Sequence, residues 1–285
     1  MKKTLLILIS VLIVVYIVLS VLGADKEYAA ERLLYQAAKS YEKIAVNPDV
    51  VPPAMFAAIE KRFQRIPERY PKTNAAKAAR IALAEFYAFN KKYDKSIDVL
   101  NAIINSSAQD PVLLSRAHFL KGNVYERRHQ ADKAVAEYEI LRDKHKETLL
   151  GFQAPLYIGD CYSKNGKGAE AAKAYERAVG FYDNIEKENR GNAVGYLASA
   201  FLGQAYMELK KYDEAGQVAV DTIKNYPSST TYLQYLPKVE AIFVKKLQRP
   251  DKAIEIYSGI REKTGEARLK EILDKKIRAL KDNGR

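Results

Sequence analysis

Cysteine, histidine and tryptophan are nearly missing from this chain, and each scarcity excludes something. One cysteine, Cys161, leaves no intramolecular disulfide framework and no multi-cysteine metal or cluster site. Set beside Tyr162 in an apolar, helix-packing context, it reads as a buried, inert thiol. The three histidines, His118, His129 and His145, lack metal-ligand spacing. The first falls on a helical pattern, the second in a turn and the third near a helix end, so solvated or capping roles are expected of all three. No segment brings a nucleophile, a base and an oxyanion donor together, so the expectation is no enzyme, no metal and no cofactor. Asn165-Gly166-Lys167-Gly168 falls short of a phosphate loop. Cys161 stands where the leading glycine belongs and no Ser or Thr follows Lys167. Paired carboxylates such as Glu186 and Glu188 sit in a charged linker, as a solvated face does.

Between Leu5 and Gly23 charge itself is missing. These nineteen residues are broken only by Ser10, Tyr16 and Ser20, and as a helix at ~1.5 Å per residue they reach about 28 Å, close to a bilayer core. That exceeds the ~7–15 apolar residues of a signal-peptide core, so residues 1–24 are expected to form an uncleaved signal anchor or transmembrane helix. The alternative is a cleaved signal, since Val21 and Gly23 suit a cleavage site before Ala24. Lys2 and Lys3 hold the start of the chain in the cytoplasm. The expected location is the bacterial inner membrane, single-pass, with Ala24 onward periplasmic, or the periplasm after cleavage. Val21-Leu22-Gly23 precedes Ala24 and not a cysteine, so there is no lipoprotein site.

What the chain has in quantity is tyrosine, 20 of them, and they fall in a frame. Phe119-Leu120-Lys121-Gly122-Asn123-Val124-Tyr125, Leu156-Tyr157-Ile158-Gly159-Asp160-Cys161-Tyr162 and Ala200-Phe201-Leu202-Gly203-Gln204-Ala205-Tyr206 each place Gly three residues before Tyr. Nine residues beyond each tyrosine comes Ala134, Ala171 or Ala215, and four beyond the first two alanines comes Tyr138 or Tyr175. An earlier unit keeps the frame without the glycine, through Leu83, Tyr87, Tyr93 and Leu100. Two helices with short turns fill ~34–40 residues, and small residues sit where paired helices approach closely.

These residues resemble the tetratricopeptide repeat, whose pattern is Leu-Gly-x-x-Tyr in a first helix and Ala-x-x-x-Phe/Tyr in a second. The resemblance covers about 28–264 and implies an all-α fold, a right-handed α-α superhelix. The expected units are about 28–71, 77–110, 115–148, 152–188, 196–228 and 233–264, the first and last degenerate, with a cap over 266–282. The connector Val46 to Pro53 reads as an insertion loop, Leu233 to Lys246 as one helix, and Pro250 as a helix starter. Arg69-Tyr70-Pro71-Lys72-Thr73 and Asn225-Tyr226-Pro227-Ser228-Ser229 look like the unit endings of bacterial envelope repeat proteins, among them the outer-membrane assembly lipoprotein, the cell-division coordinator and the translocon-associated anchored protein.

The resemblance further implies a concave groove lined by first helices, a non-enzymatic scaffold binding peptide or protein partners, and a part in envelope protein assembly or translocation. The residues expected in the groove are Phe89, Phe119, Asn123, Arg127, Leu156, Asp160, Lys164, Gln204 and Met207, with Phe89, Phe119, Leu156 and Met207 as exposed apolar anchors. A carboxylate clamp of the cochaperone type pairs Lys with Asn one turn apart; Asn123 suits it, but Phe119 holds the lysine's place.

The net charge of +12 suggests an acidic partner. It divides into +2 over 1–24, −1 over 25–58, +6 over 59–95, −1 over 96–232 and +6 over 233–285. No continuous cationic track results, which argues against nucleic acid. The alternative to the scaffold is a basic module docking to anionic lipid or cell-wall polymer.

Overall fold

The computed structural model describes residues 13, 16, 26–44, 52–106 and 110–282. The expected anchor over 1–24 therefore lies outside the described residues except at Ile13 and Tyr16, as does most of the Val46–Pro53 connector. Among the described residues no helix is long and apolar enough to cross a membrane. They form helices and turns with no strand.

Helix α1 covers 26–44. It is followed by α2 (Pro53–Arg69), α3 (Asn74–Phe89), α4 (Tyr93–Ser106), α5 (Pro111–Arg127), α6 (Ala131–Lys144), α7 (Leu149–Lys164), α8 (Gly168–Glu188), α9 (Ala193–Glu208), α10 (Tyr212–Asn225), α11 (Ser229–Val239), α12 (Pro250–Lys263) and α13 (Ala267–Asp282). The chain divides into two compact units, residues 1–152 and 153–285. In the first, Ala37, Ile59, Phe63, Ile66, Ala79 and Phe86 form a buried core, with Phe56 stacked at 4.4 Å and Tyr41 edge-on at 5.3 Å against the Phe86 ring. In the second, Tyr235, Val239, Phe243, Tyr257 and Ile260 are buried, and α13 covers them with Leu269 and Leu273.

Helix starts alternate in chemistry. The odd-numbered helices α3 to α11 open on a side-chain cap that satisfies a free first-turn N–H: Thr73 Oγ1 accepts from Ala76, Asp110 Oδ1 from Leu113, Thr148 Oγ1 from Gly151, Asn192 Oδ1 from Val194 and Gly195, and Ser228 Oγ from Thr231. Each such cap is worth about 1 kcal/mol. The Tyr-Pro-x-Thr and Tyr-Pro-Ser motifs are thus starts of the next helix as much as ends of the last. Glu27 on α1 adds its carboxylate to the α3 N-terminus, accepting from the Asn74 and Ala75 N–H groups at 3.1 and 3.0 Å.

Helices α6, α8, α10 and α12 start without a side-chain cap because each follows its predecessor through a tight left-handed turn. Lys91, His129, Gly166, Lys210 and Gln248 all have φ between +54° and +73°. In the first four turns the carbonyl of the frame tyrosine accepts the closing bond: Tyr87 from Lys92 N, Tyr125 from Gln130 N, Tyr162 from Lys167 N and Tyr206 from Lys211 N, at 2.8–3.0 Å. The rings of three of these tyrosines lie beneath lysine ammonium groups, Lys95, Lys133 and Lys167 at 5.3–5.8 Å.

The fifth hairpin differs from expectation. The single helix over Leu233–Lys246 is instead α11, carrying Pro237 inside it, followed by a wide π turn from Glu240 to Lys246. Pro237 withholds one N–H from the helical ladder. The π turn brings Phe243 and Ile242 onto Gly216, where a β-carbon would stand 2.7 Å from Phe243 Cζ. Pro250 occupies the first turn of α12, as a starter does.

Candidate partner-binding surface

The nine expected groove residues separate into structural and accessible groups. Asn123 follows Gly122 and Asp160 follows Gly159, and both are acceptors for a tyrosine of the next helix. Tyr138 Oη donates to Asn123 Oδ1 at 2.8 Å and to Glu126 Oε1 at 2.7 Å, and Tyr175 Oη donates to Asp160 Oδ1 at 2.6 Å. Burial, then the Asp160 carboxylate, push the Tyr175 hydroxyl pKa far up, so it remains a donor. Tyr87 does the same upstream, donating to Glu60 Oε1 at 2.5 Å, its pKa raised by burial and by Glu60. The glycine makes this possible: a β-carbon at 122 would stand 2.7 Å from Tyr138 Cζ, and at 159 2.8 Å from Tyr175 Cζ. Glycine admits the ring, and its neighbour receives the hydroxyl.

Leu156 is a correction. Expected as an exposed anchor, it is 3% exposed and belongs to the core, on the same helical face as Gly159. Phe119 is half-buried with its ring 6.2 Å from that of Tyr138. Lys164 is exposed near the C-terminal end of α7. Phe89, Asn123 and Arg127 come together in the first unit, where a hollow of about 270 Å³ is also lined by Tyr41, Glu85 and Leu120. The Phe89 ring meets Tyr41 edge-on at 5.8 Å, while Arg127 is exposed.

Gln204 and Met207 share a second hollow, of about 260 Å³, within the second unit. Its origin is legible in the repeat frame. The third repeat has Ala219 where the two before it have Tyr138 and Tyr175, and no ring crosses Gly203; the nearest atom to a β-carbon there would be Val218 Cγ1 at an ordinary 3.6 Å. Gly203 is therefore not the close-approach point that its place in the pattern led one to expect. Ala219, Ala215, Gly203 and Gln204 line the space a tyrosine would fill, closed by Tyr235, Ile242 and Lys238. Lys238 Nζ lies 4.4 Å from the Tyr235 ring centroid, and burial lowers its pKa.

Two residue readings change elsewhere. His118, expected in solvent or at a cap, is buried, its Nδ1 2.7 Å from Glu137 Oε2; Lys121 Nζ completes the group at 2.8 Å from Glu137 Oε1. Burial opposes ionisation of Glu137, but the bonds from His118 and Lys121 outweigh it and hold its pKa below the usual carboxylate range. The His145 ring packs 5.5 Å from His118, with Nδ1 buried and without a hydrogen-bond partner. Cys161 is fully buried. Among the described residues no group of three or more His, Cys, Asp or Glu side chains could hold a metal ion.

Comparison with known proteins follows the same frame. No curated protein matches this chain. Among solved structures it is similar to a tetratricopeptide repeat protein from Parabacteroides merdae, at 15% identity over 85% of this chain and 87% of that one, TM-score 0.40. BtubC (BKLC) from P. vanneervenii matches at 16% identity over 84% and 94%, TM-score 0.41. The TPR2AB domain of yeast Sti1, solved as a pHSP90 complex, matches at 13% identity over 89% and 99%, TM-score 0.39. A profile of the tetratricopeptide repeat matches residues 202–229. One of the tetratricopeptide repeat-like domain matches residues 4–194, two thirds of the sequence, and the chain belongs to that family.

Proposed function

We propose that this chain is a non-enzymatic protein-interaction scaffold of the bacterial cell envelope, tethered through the apolar segment 5–23, and that it grips its partner by inserting a partner side chain where the third repeat lacks its tyrosine. Tetratricopeptide repeats are protein–protein interaction modules, and the family match beginning at residue 4 takes in the apolar segment. The observation that carries the reading is the hollow at Ala219. Two repeats fill this place with Tyr138 and Tyr175, and the third keeps the glycine and the amide acceptor with no ring of its own. An aromatic side chain from a partner would find apolar walls at Ala215, Val218 and Ile242, the Gln204 amide for a hydroxyl, and the Lys238 ammonium for an acidic neighbour.

The test is a photo-crosslinking amino acid at Gln204 in the full chain in cells, with and without Ala219→Tyr. The substitution refills the hollow with the chain's own ring, so the crosslinked partner should disappear while the helical signal is kept. An unchanged crosslink with Ala219→Tyr refutes this site, and a full chain recovered in the cytoplasmic soluble fraction refutes the tether.

A further inference from the structure

Several cations on this protein sit beside acids on neighbouring helices. Lys77 pairs with Asp110, Lys95 with Glu60, Arg116 with Glu85 and Arg128 with Asp94 in the first unit; Arg249 pairs with Asp213 and Lys276 with Glu240 in the second. The junction of α1 and α2 instead gathers five cations around one cleft. Lys39 and Lys43 on α1 face Arg62, Arg65 and Arg69 on α2 across an open cleft of about 510 Å³. Spacings of four on one helix, and of three and four on the other, put each set on one face. Among the described residues no carboxylate lines the cleft, and none of the five cations has an ion-pair partner. Of the acids on these two helices, Glu27 caps α3 and Glu60 takes Tyr87 and Lys95, while Glu42 and Glu68, next in sequence to Lys43 and Arg69, are exposed and do not line the cleft. Arg62 is aimed inward by a hydrogen bond to Ser40 Oγ, which in turn donates to the Gln36 carbonyl at 2.8 Å.

Five like charges around one hollow repel one another unless an anion occupies it. Which anion follows from the surroundings. The same helix α1 exposes Tyr28 and Tyr35 seven residues apart, 68% and 65% accessible, and Tyr28 stands five residues in sequence from the end of the apolar segment at Gly23. Exposed tyrosines with cations beside an apolar span are the composition of a membrane–water interface. We infer that the α1–α2 cleft binds the phosphates of anionic lipid head groups and holds the first helical pair on the membrane surface. This rests on the tether proposed above for the choice of lipid over a soluble phosphate.

The experiment uses the full chain with Gln36→Cys carrying an environment-sensitive fluorophore; the native thiol of Cys161 is buried. The protein is mixed with vesicles of phosphatidylcholine alone or with phosphatidylglycerol, each containing a head-group quencher, and vesicle flotation and quenching are read separately. Each cation near an anionic leaflet is worth about fivefold in affinity, so Arg62→Glu/Arg65→Glu should weaken phosphatidylglycerol-dependent quenching by about 25-fold or more. Salt at about 1 M should abolish it. An equal charge reversal far along the chain, Arg268→Glu/Lys281→Glu, should leave it intact. Flotation with both vesicle types but equal quenching in both overturns the cleft and leaves the tether standing. Flotation only with phosphatidylglycerol, lost with the Arg62/Arg65 reversal, upholds the cleft and removes the tether. Equal loss from both double reversals overturns the site in favour of net charge. Pyrophosphate that quantitatively relieves the quenching upholds a phosphate site, whereas pyrophosphate binding without any lipid dependence overturns the lipid assignment.

Discussion

Three glycines hold the same place in three repeats, yet alanine at each should shift stability in different directions. At Gly122 the new methyl would stand 2.7 Å from Tyr138 Cζ. The ring is 1% exposed and its hydroxyl is held by both Asn123 and Glu126, so it has no free direction in which to yield. Overpacking of this kind costs about 1–3 kcal/mol, and displacing the hydroxyl adds about 0.5–1.5 kcal/mol per bond lost. Against this, alanine in a helix interior is favoured over glycine by about 0.8–1 kcal/mol. The clash wins, and Gly122→Ala should lose about 1–3 kcal/mol; Gly159→Ala, facing Tyr175 Cζ at 2.8 Å, should lose a similar amount. At Gly203 the methyl meets only Val218 at 3.6 Å, so the helix term stands alone and Gly203→Ala should gain up to about 1 kcal/mol. Circular dichroism of the full chain in detergent, unfolded by heat and by urea, reads these as melting shifts of about 2–4 °C per kcal/mol. A double-mutant cycle adds a control, because Tyr138→Ala removes the obstacle and should make Gly122→Ala neutral or better in that background. Equal destabilisation by all three alanines, or no coupling between positions 122 and 138, would refute the account.

Removing one hydroxyl tests the acceptor role of the residue after glycine. Tyr175→Phe leaves Asp160 without its tyrosine donor and should cost about 1–2 kcal/mol in urea titrations, whereas Gln204→Ala, which lines a hollow, should change stability by under about 0.5 kcal/mol. Stability should also fall with acid in two windows. Burial first, then the charges of His118 and Lys144, depress the His145 pKa. A depressed folded-state value means the neutral ring is preferred, so this contribution is complete above about pH 6.5 and is lost as pH falls below it. The depressed pKa of Glu137 adds a second loss at lower pH, as its carboxylate protonates. His145→Gln should flatten the first window in melts from pH 8 to 5, and an unchanged slope would exclude His145 as its source. Finally, Cys161 should react with a maleimide only after unfolding, read by mass shift with and without denaturant.

The helical repeat was legible because it depends on residues whose size alone decides: Gly122 and Gly159 before large rings, Pro250 at a helix start, alternating apolar faces. The use made of each polar residue was less so. Asn123 and Asp160 lie on the face expected to meet a ligand, but a tyrosine fifteen residues on crosses the glycine and claims them. That signal was present in sequence, since Gln204 has Ala219 at the same interval and is left accessible. Leu156 was misplaced because it lies one turn before Gly159 on the helix face that packs inward, where Tyr175 of α8 crosses, and its exposure of only 3% follows from that face. His118 meets Glu137 across nineteen residues, a pairing set by helix contact and invisible to spacing rules within one helix. The cationic cleft was hidden by arithmetic, because a sum over 25–58 sets Lys39 and Lys43 against acids that do not line it among the described residues, Glu27, Glu31 and Glu42.

The tyrosine carbonyl that closes four of the five tight turns has a consequence for the order of folding. At these four turns the reversal between a first helix and its partner is completed within six residues, by a bond that the N–H five positions on donates to the frame tyrosine's carbonyl. Loops this short close in tens of nanoseconds and carry almost no entropic cost of search. A chain synthesised from its N-terminal end can therefore set each hairpin as soon as its second helix emerges, using the preceding hairpin as a template and waiting for nothing downstream. Such a chain exposes one unfinished apolar face at a time, which keeps aggregation-prone surface small throughout synthesis.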